Sequence, residues 1–197
     1  YHLDVAGHGI PAALLSTSLS RSLVPQSGIL APNLGSGEYL NPAGFLEAMN
    51  TQLCSPDGEV TSYATVVYGV LDPHTGRGRL ASAGHPQPLL LRANGEIELA
   101  PKGGLPVGMF DTADYSTHAF ELAPGERIVT YSDGITDCVD AAGRAFDIEH
   151  LCALLRRHRE ASSDALAERL RAAVLAWRGD AELEDDVSLL IIERPAP

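Results

Sequence analysis

The stretch L-D-V-A-G-H-G-I-P-A-A-L-L, residues 3–15, holds a strand end, a glycine turn and a helix start in close succession. A short apolar run carries a carboxylate at Asp4, passes Gly7, His8 and Gly9, and enters an apolar segment with Pro11 near its beginning. Glycine accepts backbone angles that a Cβ forbids, so the chain turns tightly behind Asp4. Proline in the first helical turn loses no hydrogen bond, because that N–H has no intrahelical partner. Ile10, Leu14, Leu15, Leu19 and Leu23 recur at helical spacing, which predicts a helix over about 10–24 with these side chains on one buried face. Asp4 then faces outward at a strand end, above a glycine turn. Metal ligands are presented this way, and so, more often, are ordinary turns.

Working outward, the 197 residues fit a single domain with a substantial core. With 45% hydrophobic and 20% charged residues, the composition is that of a soluble globular protein. No apolar run approaches the ~18–20 residues needed to cross a bilayer. The opening residues do not read as a signal peptide, since Asp4 and the glycines interrupt them; a cytoplasmic location is expected. Cys54, Cys138 and Cys152 are odd in number and lack C-x-x-C spacing, which predicts reduced thiols rather than a disulfide framework or a structural zinc site. A net charge of −12 argues against binding nucleic acid or an anionic membrane by bulk electrostatics. It suits a cation site built from carboxylates and a solvated acidic surface alike.

The middle of the chain reads as strands. Pro25 to Gly37 is loop-like, and Asn41-Pro42 starts a short helix expected to run to about 53. Ser55-Pro56-Asp57-Gly58 is a turn by its chemistry. Ser62–Leu71 and Arg79–Ala83 form a hairpin about Asp72-Pro73-His74-Thr75-Gly76; Pro88–Arg92 turns at Ala93-Asn94-Gly95 into Ile97–Leu99. Pro101 to Asp114 reads as a loop, and Thr117–Leu122 with Arg127–Ser132 reads as a further hairpin about Pro124-Gly125. The period then changes. Ile148, Leu151, Cys152 and Leu155 predict a helix capped at Asp147, and Leu166 to Trp177 predicts a second ending near Gly179. Val187–Ile192 is a continuous apolar run, expected as a strand buried on both faces. The fold class is α+β: antiparallel sheets flanked by helices.

Two further acids flank strands as Asp4 does. Asp133 follows Ile128–Ser132 and precedes Gly134, while Asp185 and Asp186 open the last strand. If that strand runs antiparallel to the others, all three acids meet at one sheet edge. Bare carboxylates ~4 Å apart repel by about 4 kcal/mol at an effective dielectric of ~20, so either their pKa values rise or cations occupy the site. Oxygen ligands suit Mg²⁺ or Mn²⁺. Each Asp alone is more readily explained as a cap or turn residue.

Five motifs stand in one order: D-V-A-G-H-G-I-P-A-A-L-L (4–15), S-A-G-H-P-Q-P-L-L-L (82–91), G-L-P-V-G (104–108), Y-S-D-G-I-T-D (131–137) and D-D-V-S-L-L (185–190). In this order the chain resembles the bacterial sporulation-stage-II-E-like (SpoIIE-like) serine phosphatases of the metal-dependent PPM, or type 2C-like, protein phosphatase family. The resemblance covers almost the whole chain. It implies an α-β-β-α sandwich holding two Mn²⁺ or Mg²⁺ ions, with Asp4 bridging both, the Val5 carbonyl on one, and Asp133 and Asp185 as the remaining ligands. Asp186 takes the place of Asp185 if the register is off by one. The implied chemistry is attack on a phosphoserine or phosphothreonine by a water that the two metals activate, with no protein nucleophile. His8 is the nearest candidate for a proton donor, against the plainer reading of a local hydrogen-bonding residue, and His85 reads as structural. The implied substrate is a phosphorylated anti-sigma-factor antagonist.

One departure stands out. The family carries an N-terminal strand and a G-D-x-x-D-like acidic segment ahead of D-V-x-G-H-G, whereas Tyr1 begins directly at the second strand. Residues 1–197 are therefore expected to be one N-terminally short phosphatase domain, lacking a hairpin and one acid, with a sensory module upstream. Two other readings keep the fold: a non-catalytic regulatory domain, and a hydrolase of small phosphoesters. The loops at 25–37 and 101–114 are candidates for substrate contact, or plain connectors.

Overall fold

The computed structural model describes residues 1–7, 9–23, 41–54, 62–180 and 185–196. They fall into two compact units through which the chain passes alternately, residues 1–85 with 101–121, and residues 86–100 with 122–197. Each unit has its own antiparallel four-stranded sheet and its own helices, so the α+β class holds. Among the described residues no helix is long and apolar enough to cross a membrane. All three cysteines are free thiols.

In the first unit, β1 (His2–Val5), β2 (Ala64–Leu71), β3 (Arg77–Ala83) and β6 (His118–Glu121) are ordered β1-β2-β3-β6. The β2–β3 hairpin forms about the expected turn, where Asp72 Oδ1 accepts the His74 N–H and Gly76 takes φ 75°. Against this sheet packs α2 (Pro42–Leu53), its bounds as read from the sequence, burying Phe45, Leu46 and Met49 beside Val66 and Tyr68. Asn41 does not cap α2 with its own side chain. Its Oδ1 instead accepts the Thr117 hydroxyl, whose oxygen accepts the Ala43 N–H. The 101–114 segment is pinned to α2 through buried Asn50, which donates to the Phe110 carbonyl and accepts the Gly108 N–H.

Helix α1 (Ile10–Ser22) follows Gly7 and Gly9, both at positive φ (91° and 80°) as the turn requires. Its buried face is shorter than the periodicity predicts. Leu19 and Leu23 are 4% exposed and Leu15 is partly buried, but Ile10 is 76% and Leu14 66% exposed. Helical spacing aligns the five residues; only the C-terminal half of the stripe packs into the core.

The second unit orders β5 (Ile97–Leu99), β4 (Leu89–Leu91), β7 (Arg127–Tyr131) and β8 (Leu189–Glu193) as β5-β4-β7-β8. A one-turn helix α3 (Asp133–Thr136) follows β7; α4 (Asp147–Arg157) and α5 (Ser163–Arg178) bury Leu151, Leu155, Leu166 and Leu170 in a core shared with Leu89 and Val129. Asp147, at φ 57°, caps α4 by accepting the N–H groups of Glu149 and His150. Ser162 accepts the Ala165 N–H at the start of α5, and Gly179 ends that helix at φ 65°. Buried Arg127 donates to Glu193 and to the Arg159 and Ala161 carbonyls, tying two strands to the α4–α5 connection.

Two strand expectations are corrected. Residues 117–122 and 127–132 do not form a hairpin: β6 pairs with β3 in the first unit, and β7 with β4 and β8 in the second. Pro124-Gly125 reverses the chain, but it also carries it from one sheet to the other. β8 is likewise not buried on both faces. It lies at its sheet's edge among the described residues, with its side chains only partly covered and Ile192 40% exposed.

Candidate metal centre

The second unit builds an acid pair from the end of β7 and the run before β8. Ser132, 1% exposed, continues β7 in extended conformation before α3 begins at Asp133. Its hydroxyl donates to the Asp186 carbonyl and accepts the Ser188 N–H, both at 2.9 Å, and its N–H donates to the Ser188 carbonyl. Gly134 lets these segments close. A Cβ there would stand 2.3 Å from the Asp186 carbonyl oxygen, well inside contact distance. So stitched, Asp133 and Asp185 bring carboxylate oxygens within 4.8 Å of each other. Asp185 acts on Asp133 as the stronger of two neighbouring acids, Asp137 being the other. Asp186 contributes its main chain to the clamp.

The pair is electrostatically unsettled. Burial first, then the neighbouring Asp185 and Asp137 charges, hold the Asp133 carboxyl above its ordinary value. Its Oδ1 is buried and has no hydrogen-bond partner among the described residues. An inaccessible carboxylate oxygen without a donor is unfavourable unless a proton or cation meets it. Two carboxylates presenting oxygen alone match a hard divalent cation, so the residues present fit one.

Asp4 and Val5 belong to the first unit, on β1, where Asp4 is half-buried and lies opposite Thr65 in the β1–β2 ladder. The acids therefore sit on two sheets rather than at one sheet's edge, because β1 pairs with β2 and not with β7 or β8. His8 lies outside the described residues, as do the 25–37 loop and the 55–58 turn. His85 is 5% exposed, with Nδ1 2.9 Å from Thr65 Oγ1. Sequence reasoning missed the clamp that Ser132 and Gly134 make and the contact of Thr65 with His85. The S-D-G triplet was visible, but the partners of its serine lie 54 and 56 residues downstream, and its glycine meets Asp185 and Asp186 in that same distant segment.

The family model for Stage II sporulation protein E (SpoIIE) matches residues 1–195. Phosphoserine phosphatase RsbU of Bacillus subtilis is 26% identical over 195 residues, covering 97% of this chain and 54% of that protein. Phosphoserine phosphatase RsbP of the same organism is 25% identical over 194 residues, covering 97% and 44%. The chain thus spans about half the length of these curated relatives. Among solved structures, the SiaA-PP2C domain of Pseudomonas aeruginosa shares the fold at a TM-score of 0.79 and 21% identity, over 97% of this chain and 73% of that one.

Proposed function

The chain belongs to the Stage II sporulation protein E (SpoIIE) family, and from that premise we propose that it is a metal-dependent protein serine/threonine phosphatase. Its substrate is a phosphorylated regulatory protein of the anti-sigma-factor antagonist type. The observation that carries this reading is the Asp133–Asp185 pair, built by a dedicated main-chain clamp and left with a buried oxygen that no protein donor satisfies. A structural acid would be capped or paired, as Asp147 and Glu193 are.

In this proposal residues 1–197 act as one phosphatase domain. Asp4 and the Val5 carbonyl join Asp133 and Asp185 in holding two Mn²⁺ or Mg²⁺ ions. Cations so held would supply an activated water for attack on phosphorus and would screen the phosphoryl oxygens. The chain's own contribution is to fix its oxygens: Ser132 and Gly134 set the approach of Asp133 to Asp185, and burial keeps Oδ1 from competing water. A cytoplasmic location and an upstream sensory module belong to the same proposal and rest on the family resemblance.

The test is hydrolysis of p-nitrophenyl phosphate and of a phosphoserine protein, titrated with Mn²⁺, on the wild type and Asp133→Asn. Turnover that needs Mn²⁺ and is lost in the variant is expected. Turnover in EDTA, or an unaffected variant, refutes the metal-dependent mechanism. Absence of turnover in folded, Mn²⁺-loaded wild type favours the regulatory reading instead.

A further inference from the structure

The sheet of the first unit has two unlike faces. Leu3, Val5, Ala64, Val66 and Tyr68 alternate into the apolar core with α2. The opposite face carries His2 and Asp4 on β1 and, across the ladder from them, Val67 and Thr65 on β2. Ser82 on β3 lies opposite Val67 on that same face. His85, just past β3, closes over it. Its Nδ1 is 2.9 Å from Thr65 Oγ1, its ring centroid is 4.6 Å from that of His2, and its carbonyl accepts the Ser82 hydroxyl at 3.4 Å. His2, Ser82 and His85 are each at most 8% exposed.

A polar layer on a small sheet is an unfavourable way to fill space. A neutral hydroxyl–imidazole bond adds only about 1 kcal/mol net, and valine at 65 would suit a strand at least as well. The location of the pair supplies another reason for it. Directly opposed residues of an antiparallel ladder hold their Cβ atoms about 4.5–5.5 Å apart, so the Thr65 side chain is the cross-strand neighbour of Asp4.

We propose that Thr65 and His85 are positioning residues for Asp4: His85 fixes the Thr65 hydroxyl, and the hydroxyl fixes which carboxylate oxygen Asp4 turns toward a bound cation. With its Nδ1 protonated, the imidazole donates to Thr65 Oγ1. The hydroxyl hydrogen is then left free to turn away from the ring, to the side on which Asp4 is the cross-strand neighbour. Partners of this kind orient a metal-binding carboxylate and commonly change metal affinity about 10–100-fold when removed. The inference rests on the reading of Asp4 as a metal ligand.

Calorimetric titration with Mn²⁺ tests it, on wild type, Asp4→Asn, Thr65→Val, Thr65→Ser and His85→Leu, alongside melting curves in EDTA. Thr65→Val and His85→Leu are expected to bind Mn²⁺ at least about tenfold more weakly. Thr65→Ser, which keeps the hydroxyl, is expected to stay within about threefold of wild type, and Thr65→Val, which takes the hydroxyl from the buried His85 Nδ1, to stay folded without metal with its melting point lowered. Full affinity in Thr65→Val beside lost affinity in Asp4→Asn overturns this inference alone. Equal losses in Thr65→Ser and Thr65→Val also overturn it, since packing and not the hydroxyl is then at work. Wild-type affinity in Asp4→Asn, or no Mn²⁺ uptake by wild type, overturns both this inference and the metal assignment of Asp4.

Discussion

Replacing Asp133 by Asn keeps the side-chain shape and removes one charge of the acid pair. The structure therefore predicts opposite effects on activity and stability. The Asp133 and Asp185 oxygens lie within 4.8 Å, a separation at which two unit charges repel by about 3.5 kcal/mol at an effective dielectric of ~20 and about 0.9 kcal/mol in bulk water. Asp185 is exposed, so the lower part of that range applies. In EDTA at pH 7, Asp133→Asn is expected to be about 1–2 kcal/mol more stable, raising Tm by about 2–8 °C for a chain of this size. In Mn²⁺ the same variant is expected to lose turnover. The pH dependence gives a second check. The Asp133 carboxyl titrates above its unfolded value, so the metal-free folded state binds its proton more tightly than the unfolded state does. Its destabilising effect is full at pH well above the folded value and fades as pH falls through it. The advantage of the variant should shrink toward acid. Scanning calorimetry in EDTA from pH 7 downward reads both numbers. A variant no more stable than wild type at pH 7, or an advantage that grows on acidification, refutes the argument.

Gly134→Ala puts a methyl group 2.3 Å from the Asp186 carbonyl oxygen, so the segment bearing Asp185 must move; at least a tenfold loss of Mn²⁺-dependent turnover is expected in steady-state assays. Arg127→Met leaves Glu193 with the Ser163 hydroxyl alone and strands the Arg159 and Ala161 carbonyls, and should destabilise by about 2–3 kcal/mol in urea titration. Glu193 is held below the usual glutamate range by the Ser163 hydroxyl first and Arg127 after it, so its stabilisation is present at neutral pH and lost as pH falls through its folded value. Arg127→Met should accordingly have a flatter acid limb than wild type. Leu19→Ala, in the core, should lower stability by about 2–4 kcal/mol, while Leu14→Ala, 66% exposed, should change it by less than about 0.5 kcal/mol in the same titration.

The sequence was most legible where local chemistry decides local structure. Pro42 marked the start of α2, and D-P-H-T-G marked the β2–β3 turn, because both are settled within a few residues, whereas the side-chain acceptor at the α2 start is the distant Thr117. Where a partner lies far along the chain, the local signal was incomplete. Pro124-Gly125 announces a reversal but does not choose the neighbouring strand. The contrast between half-exposed His118–Glu121 and fully buried Arg127–Tyr131 already belongs to two environments. The apolar run at 187–192 does not distinguish a central strand from an edge. At the site, motif order singled out Asp133 and Asp185. The Ser132 hydroxyl that joins their segments has no local signature, since serine before aspartate is also an ordinary turn.

The interleaved path of the chain has a consequence for how the protein is made. The hairpin of β4 and β5 leaves the ribosome before residues 101–121, which return to the other unit, and before β7, against which Leu89–Leu91 must pair. These three leucines, each at most 3% exposed in the finished fold, have β5 on one side but lack their second neighbouring strand until residues 127–129 have been synthesised. Domains usually mature one after another from the N-terminus. Here neither half can be completed ahead of the other's first strands, so a nascent chain stalled near residue 110 should be an aggregation-prone and chaperone-dependent species.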